Sequence, residues 1–284
     1  MVGLIPLFRL LRPHQWLKNL MLFFPPFLGG VLFNPGMPQK GGLPFVAFCL
    51  ASSFTYILND ILDRDCDRLH PRKSRRPVAS GTVSVPAALA LSLLLIIPAL
   101  VLAWMVSTLF FKYLLLYLLV SAAYSHFLKD QPIFDIFCIA SGFVFRLMAG
   151  GEAFGVAVSD WLFLSVLLLA LFLSAGKRLG EKLQLGDNAG SHRRSLQEYP
   201  EGVLDALMYI SAAAVLVTYT LYVIAKHKLV FTVPLCCFGL FRYILIVKRG
   251  GSGDPTASLL KDPVLFCLGL AWAAMVAAAT YWVP

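Results

Sequence analysis

Charge is what this sequence has least of. Asp, Glu, Lys and Arg make up 14% of its 284 residues, against about a quarter in ordinary soluble domains. Hydrophobic residues make up 59%, and apolar runs of roughly 17–25 residues, long enough to cross a bilayer, recur from end to end. Together these exclude a separate soluble domain. Cysteine offers no framework either. Cys49, Cys66, Cys138, Cys236, Cys237 and Cys267 include no C-x-x-C pair, and most lie in apolar runs. That excludes a disulfide scaffold or a zinc site and leaves them as small packing residues. The first apolar run has no small-residue cleavage site after it, so no cleavable signal peptide is expected. The formal charge of +9 would suggest nucleic acid in a soluble protein, but its distribution follows membrane topology, so no nucleic-acid partner is expected.

Hydropathy predicts nine spans, at 16–33, 43–62, 85–106, 110–127, 132–150, 160–177, 203–225, 229–247 and 263–282. The expected fold class is therefore all-α: a polytopic bundle of nine transmembrane helices forming one domain over residues 1–284. Pro25 and Pro26 predict a kink or break in the first span. Eighteen of the 24 Lys and Arg fall in the N-terminal segment and alternate connections. The positive-inside rule then puts the N-terminus in the cytoplasm and the C-terminus outside. Thirteen of the 15 acids crowd the same side, which that rule does not require.

The densest charge lies in "YILNDILDRDCDRLHPRKSRRPVASG", Tyr56 to Gly81. Asp60, Asp63 and Asp67 stand at i, i+3 and i+7, with Asn59 four before Asp63. On one helix they share a face, and Asp65 points away. Stacked carboxylates repel and need a cation to offset them. Mg²⁺ suits, since it takes oxygen ligands, one or two carboxylates and substrate phosphates. The competing reading pairs these acids with Arg64, Arg68 and Arg72 in a solvated loop. Lys73, Arg75 and Arg76 follow within a few residues, between Pro71 and Pro77. Metal-binding acids beside phosphate-binding bases suit departure of diphosphate from a carbon able to carry positive charge.

"NDILDRDCD", Asn59 to Asp67, resembles the N-D-x-x-D-x-x-x-D signature of the UbiA prenyltransferase superfamily. A narrower resemblance, to decaprenyl-phosphate phosphoribosyltransferases, rests on "LRPHQWLKN", "HPRKSRRPVASG", "GFVFRLMAGG", "SAGKRLGE", "RRSLQEY" and "GGSGDPT". It implies an intramembrane enzyme of the bacterial inner membrane with its site open to the cytoplasm. The reaction joins phosphoribosyl diphosphate to a polyprenyl phosphate, yielding an arabinose precursor for cell-wall synthesis and releasing diphosphate. The resemblance makes Asn59, Asp60, Asp63 and Asp67 the Mg²⁺–diphosphate ligands and draws Lys73 and Arg76 into phosphate binding. The wider superfamily's second motif, often D-x-x-x-D, is only approximated by Asp130 and Asp135 in "KDQPIFD". Asp135 is the expected functional member, binding a ribose hydroxyl or orienting a base, and Asp130 caps a helix.

The acceptor discriminates further. A lipid phosphate is already a nucleophile and needs cations to hold it. Lys18 beside Asn19, Arg146 inside a span, and Lys177 with Arg178 are the expected binding groups. An intramembrane Arg marks a functional site by default, the alternatives being snorkelling or pairing with Glu152. Tyr56, one turn before the aspartates, is placed on the donor's 5-phosphate or at the membrane interface. Arg68 and Lys129 complete the candidate substrate-binding set. His14, His70 and His126 read as packing or capping residues. Two other classes compete: an aromatic prenyltransferase with a polyprenyl diphosphate donor, and a transporter, which the absence of an inverted repeat disfavours. The sequence does not mark a homo-oligomer, and leaves one open.

Overall fold

The computed structural model describes residues 4–69, 73–186, 194–226, 229–251 and 253–282. His70, Arg72, Arg193 and Lys228 of the charge map lie outside them. Among the described residues every regular element is a helix and none is a strand. The order is α1 (Leu4–Leu11), a 3₁₀ segment (Pro13–Phe23), α2 (Phe24–Leu28), α3 (Met37–Lys40), α4 (Gly42–Leu62), α5 (Arg64–Leu69), α6 (Val85–Val106), α7 (Thr108–His126) and α8 (Phe134–Phe154). There follow α9 (Asp160–Leu185), α10 (Arg194–Glu198), α11 (Val203–Ala225), α12 (Val233–Lys248), α13 (Pro255–Lys261) and α14 (Pro263–Ala277).

Eight helices among the described residues are long and apolar enough to cross a membrane. They match eight of the nine expected spans closely. The boundaries have local causes, because an apolar run cannot itself say where its helix starts. Ser84, Ser107 and Ser159 each accept the N–H three residues on, opening α6, α7 and α9. The expected first span is the exception. Pro25 and Pro26 have no N–H to donate to Met21 and Leu22, and residues 13–28 form a 3₁₀ segment and one short helix. This segment lies directly on α8: a Cβ at Gly150 would stand 2.2 Å from the Leu22 carbonyl oxygen.

Two apolar clusters flank the middle of the bundle. In one, Phe172, Ala175 and Leu179 of α9 pack on Leu204, Met208 and Val215 of α11 and on Leu240 and Tyr243 of α12. In the other, Ala47, Phe48 and Ala51 of α4 pack on Ala99 and Ala103 of α6 and on Phe110 and Leu114 of α7. Alanines let the α4 and α6 backbones approach closely. The outer faces stay apolar: Leu94 and Ile97 of α6 are 69% and 63% exposed, as expected of helices bathed in lipid rather than water. Between the clusters α4, α7, α8, α9 and the 3₁₀ segment leave room for a cavity.

Candidate active site

The acidic helix end does not present three carboxylates on one face. α4 stops at Leu62, Asp63 takes φ −88° and ψ 3°, and α5 restarts at Arg64. The break rotates Asp67 back toward Asp60 and leaves Asp63 on its own. Arg76 Nη1 donates to Asp60 Oδ1 at 3.1 Å and to Asp67 Oδ2 at 2.5 Å. Arg12 Nη2 adds a second bond to Asp60 Oδ1 at 2.5 Å. Asp63 instead pairs with Lys129 and accepts Asn59 Nδ2 at 2.9 Å. The expectation of one unbroken helix face is corrected: the helix breaks at Asp63, and Arg12, Arg76 and Lys129 offset the like charges that the stretch brings together. Asp65 is the exposed member, 3.6 Å from Arg68.

Magnesium is tested by this donor set. Among the described residues no three acidic, His or Cys side chains are gathered as a ready metal centre. A Mg²⁺ site needs only one or two carboxylates, with water and substrate phosphates completing the shell. Asp60 with Asp67, and Asp63 with Asn59, each meet that need with oxygen donors alone. Asp60 and Asp67 already share one positive nitrogen between them. The residues fit the ion in donor type, and their charge is balanced by Arg12, Arg76 and Lys129.

Beside the helix end lies a cavity of about 240 Å³. Its lining brings together Lys18, Tyr56, Asn59, Asp63, Lys73, Arg76, Arg146 and Lys177 of the expected set, from five separate stretches of chain. Its lining cations number six with Arg12, against the two acids Asp63 and Glu181. Arg12 stacks over the Tyr56 ring at 5.1 Å. Deeper in the membrane, Arg146 Nε donates to Asn19 Oδ1 at 2.7 Å and Nη1 to the Gly142 carbonyl at 2.8 Å. Its guanidinium lies over Tyr117 at 4.5 Å. Neither alternative expected for Arg146 holds: it is 4% exposed, and Glu152 accepts instead from Ser107 at 2.7 Å. Among the described residues no carboxylate stands within ion-pair distance of Arg146.

Several expected residues stand behind this lining. Asp60, Asp67 and Asn19 are buried beneath Arg76, Arg12 and Arg146. Arg68 is outside, donating to the Ala79 carbonyl at 3.1 Å. Asp130 closes a one-turn 3₁₀ helix (Leu128–Asp130), and the N-cap of α8 is Ile133, so Asp130 does not cap that helix. His126 ends α7, and His14 is exposed.

Asp135 and Arg178 are both fully enclosed and bind each other, Nε to Oδ2 at 2.6 Å. Arg178 also holds Glu181 at 2.6 Å and the Tyr124 hydroxyl at 3.0 Å. This places them in the wall of the site and out of contact with its contents. The Tyr199 hydroxyl donates to Asp135 Oδ1 at 2.8 Å and accepts the Ile133 N–H at 2.6 Å. Burial pushes the Tyr199 hydroxyl above its ordinary pKa, so it stays a donor.

Ile133 has φ 70°, and the Phe134 N–H reaches back to the Pro132 carbonyl at 2.8 Å. That is a γ-turn of the strained hand on a β-branched residue. Ser195 Oγ meanwhile donates to the Lys129 carbonyl at 3.1 Å. Tyr199 and Ser195 thus pin the loop whose Lys129 holds Asp63. Arg12, Tyr117, Tyr124, Ser125 and Glu181 line the cavity without having been expected there. For Arg12 a signal existed, a basic residue just before Pro13 in "LRPHQWLKN". The aromatics carried none, since their sites depend on packing.

Comparison with known proteins bears on the family and the fold. The profile of the UbiA prenyltransferase family matches residues 23–270. A decaprenyl-phosphate phosphoribosyltransferase of Mycolicibacterium smegmatis is 34% identical, with 97% of this chain and 92% of that protein aligned. One from Corynebacterium glutamicum is 31% identical, over 96% of this chain and 86% of its own. Among solved structures, a UbiA homolog from Archaeoglobus fulgidus bound to GPP and Mg²⁺ superposes with a TM-score of 0.75 at 24% identity, over 95% of this chain and 98% of that one. A fold match over the whole length, a profile over most of it and relatives above 30% identity agree, and the chain belongs to the UbiA prenyltransferase family.

Proposed function

We propose that this protein is a multi-pass membrane transferase that moves the 5-phosphoribosyl group of phosphoribosyl diphosphate to decaprenyl phosphate, releasing diphosphate. The observation that carries this reading is the distribution of cations in one cavity. Arg12 and Arg76 stand at the acidic helix end. Lys18, within electrostatic reach of both Arg146 and Lys177, gathers them into a second group. A diphosphate needs the first group, and the single carboxylate of an acceptor such as 4-hydroxybenzoate calls for one cation rather than the three of the second. A lipid phosphate has use for that group, and the near-full-length relatives are named for that acceptor.

In this reading Asp60, Asp63, Asp67 and Asn59 hold Mg²⁺, which when bound masks charge on the leaving diphosphate. Arg12, Lys73 and Arg76 grip the phosphates around it. Tyr56 lies beside Arg12 toward the donor. Lys18, Arg146 and Lys177 orient the acceptor so that a phosphate oxygen faces the anomeric carbon. The bond from that carbon to diphosphate breaks, a bond to the lipid phosphate oxygen forms, and the departing electron pair stays on diphosphate. The acceptor is already anionic, so no protein base is required. In this reading the chain is one intramembrane domain of a bacterial inner membrane with its N-terminus and site on the cytoplasmic side, an orientation that the positive-inside bias of its Lys and Arg supports.

The test incubates the purified protein with Mg²⁺, labelled phosphoribosyl diphosphate and decaprenyl phosphate. Label should enter the lipid fraction, and Asp63→Asn should abolish transfer while the protein still folds. Absence of transfer by the wild type, alongside prenylation of 4-hydroxybenzoate from a polyprenyl diphosphate, would sink the proposal in favour of an aromatic prenyltransferase.

A further inference from the structure

The "GGSGDPT" stretch reaches the site from the far end of the chain. Gly253, at φ 63°, lies on α9 so closely that a Cβ there would stand 2.5 Å from the Gly176 carbonyl oxygen and 2.8 Å from Lys177 Cα. Only glycine fits such an approach at that φ. The Tyr243 hydroxyl, 2.5 Å from the Gly253 carbonyl oxygen and 3.1 Å from that of Leu173, clamps the loop to α9. The next residue, Asp254, is thereby delivered behind Lys177. Its carboxylate accepts the Ala257 N–H at 2.9 Å, opening α13, and stands 3.7 Å from Lys177 Nζ. Burial opposes its charge, but Lys177, the Ala257 amide, Lys18 and His14 outweigh burial and hold its pKa below the ordinary carboxylate value. It remains an anion at neutral pH.

A second carboxylate competes for Lys177. Glu181 lies one turn on, at i+4 on the same helix face, and lines the cavity. Arg178 holds Glu181 at 2.6 Å, and the Lys177 ammonium stands in the field of both Glu181 and Asp254.

We propose that Asp254 is a positioning residue for the acceptor: it keeps the Lys177 ammonium beside Lys18, aimed at the lipid phosphate. The assignment rests on the transferase reading above for the identity of that phosphate.

The experiment uses the full-length protein in nanodiscs and varies the two substrates separately. Asp254→Asn keeps the helix cap, since Asn caps as well as Asp, and removes only the charge. It should raise KM for decaprenyl phosphate about tenfold, the size of one charge-assisted contact, and leave KM for phosphoribosyl diphosphate within about twofold. Decaprenyl phosphate alone should raise the wild-type unfolding temperature, and the same rise in Asp254→Asn should require about tenfold more of it. Tyr243→Phe, which loosens the clamp, should shift the lipid KM in the same direction by less.

An unchanged lipid KM in Asp254→Asn, or an equal rise in both KM values, overturns the proposal. So does a loss confined to Asp254→Ala together with a lower unfolding temperature, which would make Asp254 a cap and nothing more. A wild type that transfers no phosphoribosyl, yet is stabilised by the lipid phosphate in an Asp254-dependent way, would defeat the transferase reading and leave the positioning role standing.

Discussion

An arginine inside the bilayer with no carboxylate beside it is costly unless its ligand brings the negative charge. Arg146 meets that description, with Asn19, the Gly142 carbonyl and the Tyr117 ring satisfying its direction but not its charge. Lys cannot replace it, because an ammonium has neither the planar fork nor the face that stacks on Tyr117. Arg146→Lys should therefore raise KM for the lipid phosphate by about tenfold or more with little change in the donor KM, as steady-state rates would show. Asp65→Asn is the contrasting case. Its side chain is 88% exposed, and it should alter turnover by less than about twofold, as surface ion pairs contribute little. The spacing of Asp60, Asp63 and Asp67 was legible in the sequence because helical period is a local property. Their division into a pair and a single residue was not. It depends on the backbone at Asp63 and on Arg12, 48 positions before Asp60.

At the scale of elements, the loop between α7 and α8 carries more constraint than its length suggests. Its strained turn at Ile133 persists because Tyr199 holds the Ile133 N–H and Asp135 together. Strain of this kind costs of order 1–3 kcal/mol and needs surroundings that over-determine it. Tyr199→Phe removes the hydroxyl that does so. It should lower stability by about 1–3 kcal/mol through the unsatisfied Asp135 and Ile133 groups, measurable by denaturant or thermal unfolding. It should also reduce turnover, because Lys129 and hence Asp63 lose their anchor. None of this shows in "KDQPIFD" alone. Asp135 was noticed as a functional residue, and its partner lies 64 positions further on. Spans were read far better. For α6 and α11 the expected limits, 85–106 and 203–225, are the observed ones, because Ser84 and Gly202 cap the helices where their apolar runs begin. The segment at 16–33 departs from expectation because two prolines and the close seat on Gly150 outweigh its hydropathy.

At the scale of the whole molecule, the acids at the helix end are neutralised by the chain's own arginines and a lysine. Mg²⁺ with phosphoribosyl diphosphate should raise the wild-type unfolding temperature by several degrees, since a ligand at ~100 times its Kd adds about 2.7 kcal/mol. The shift should vanish in Asp63→Asn. Topology has its own check. Cysteines introduced at Asn34 and Ser80, both exposed, should react from opposite sides of the membrane, Asn34→Cys from outside.

The surplus of six lining cations over two acids has a consequence beyond contact. Such a cavity acts on its ligands from a distance, drawing anions along the headgroup layer before any hydrogen bond forms. Ions in solution shorten that reach, to about 8 Å at physiological ionic strength and roughly 3 Å at 1 M. Capture of both substrates should therefore slow as salt rises, kcat/KM falling more steeply than kcat. A neutral acceptor would be indifferent to the same titration.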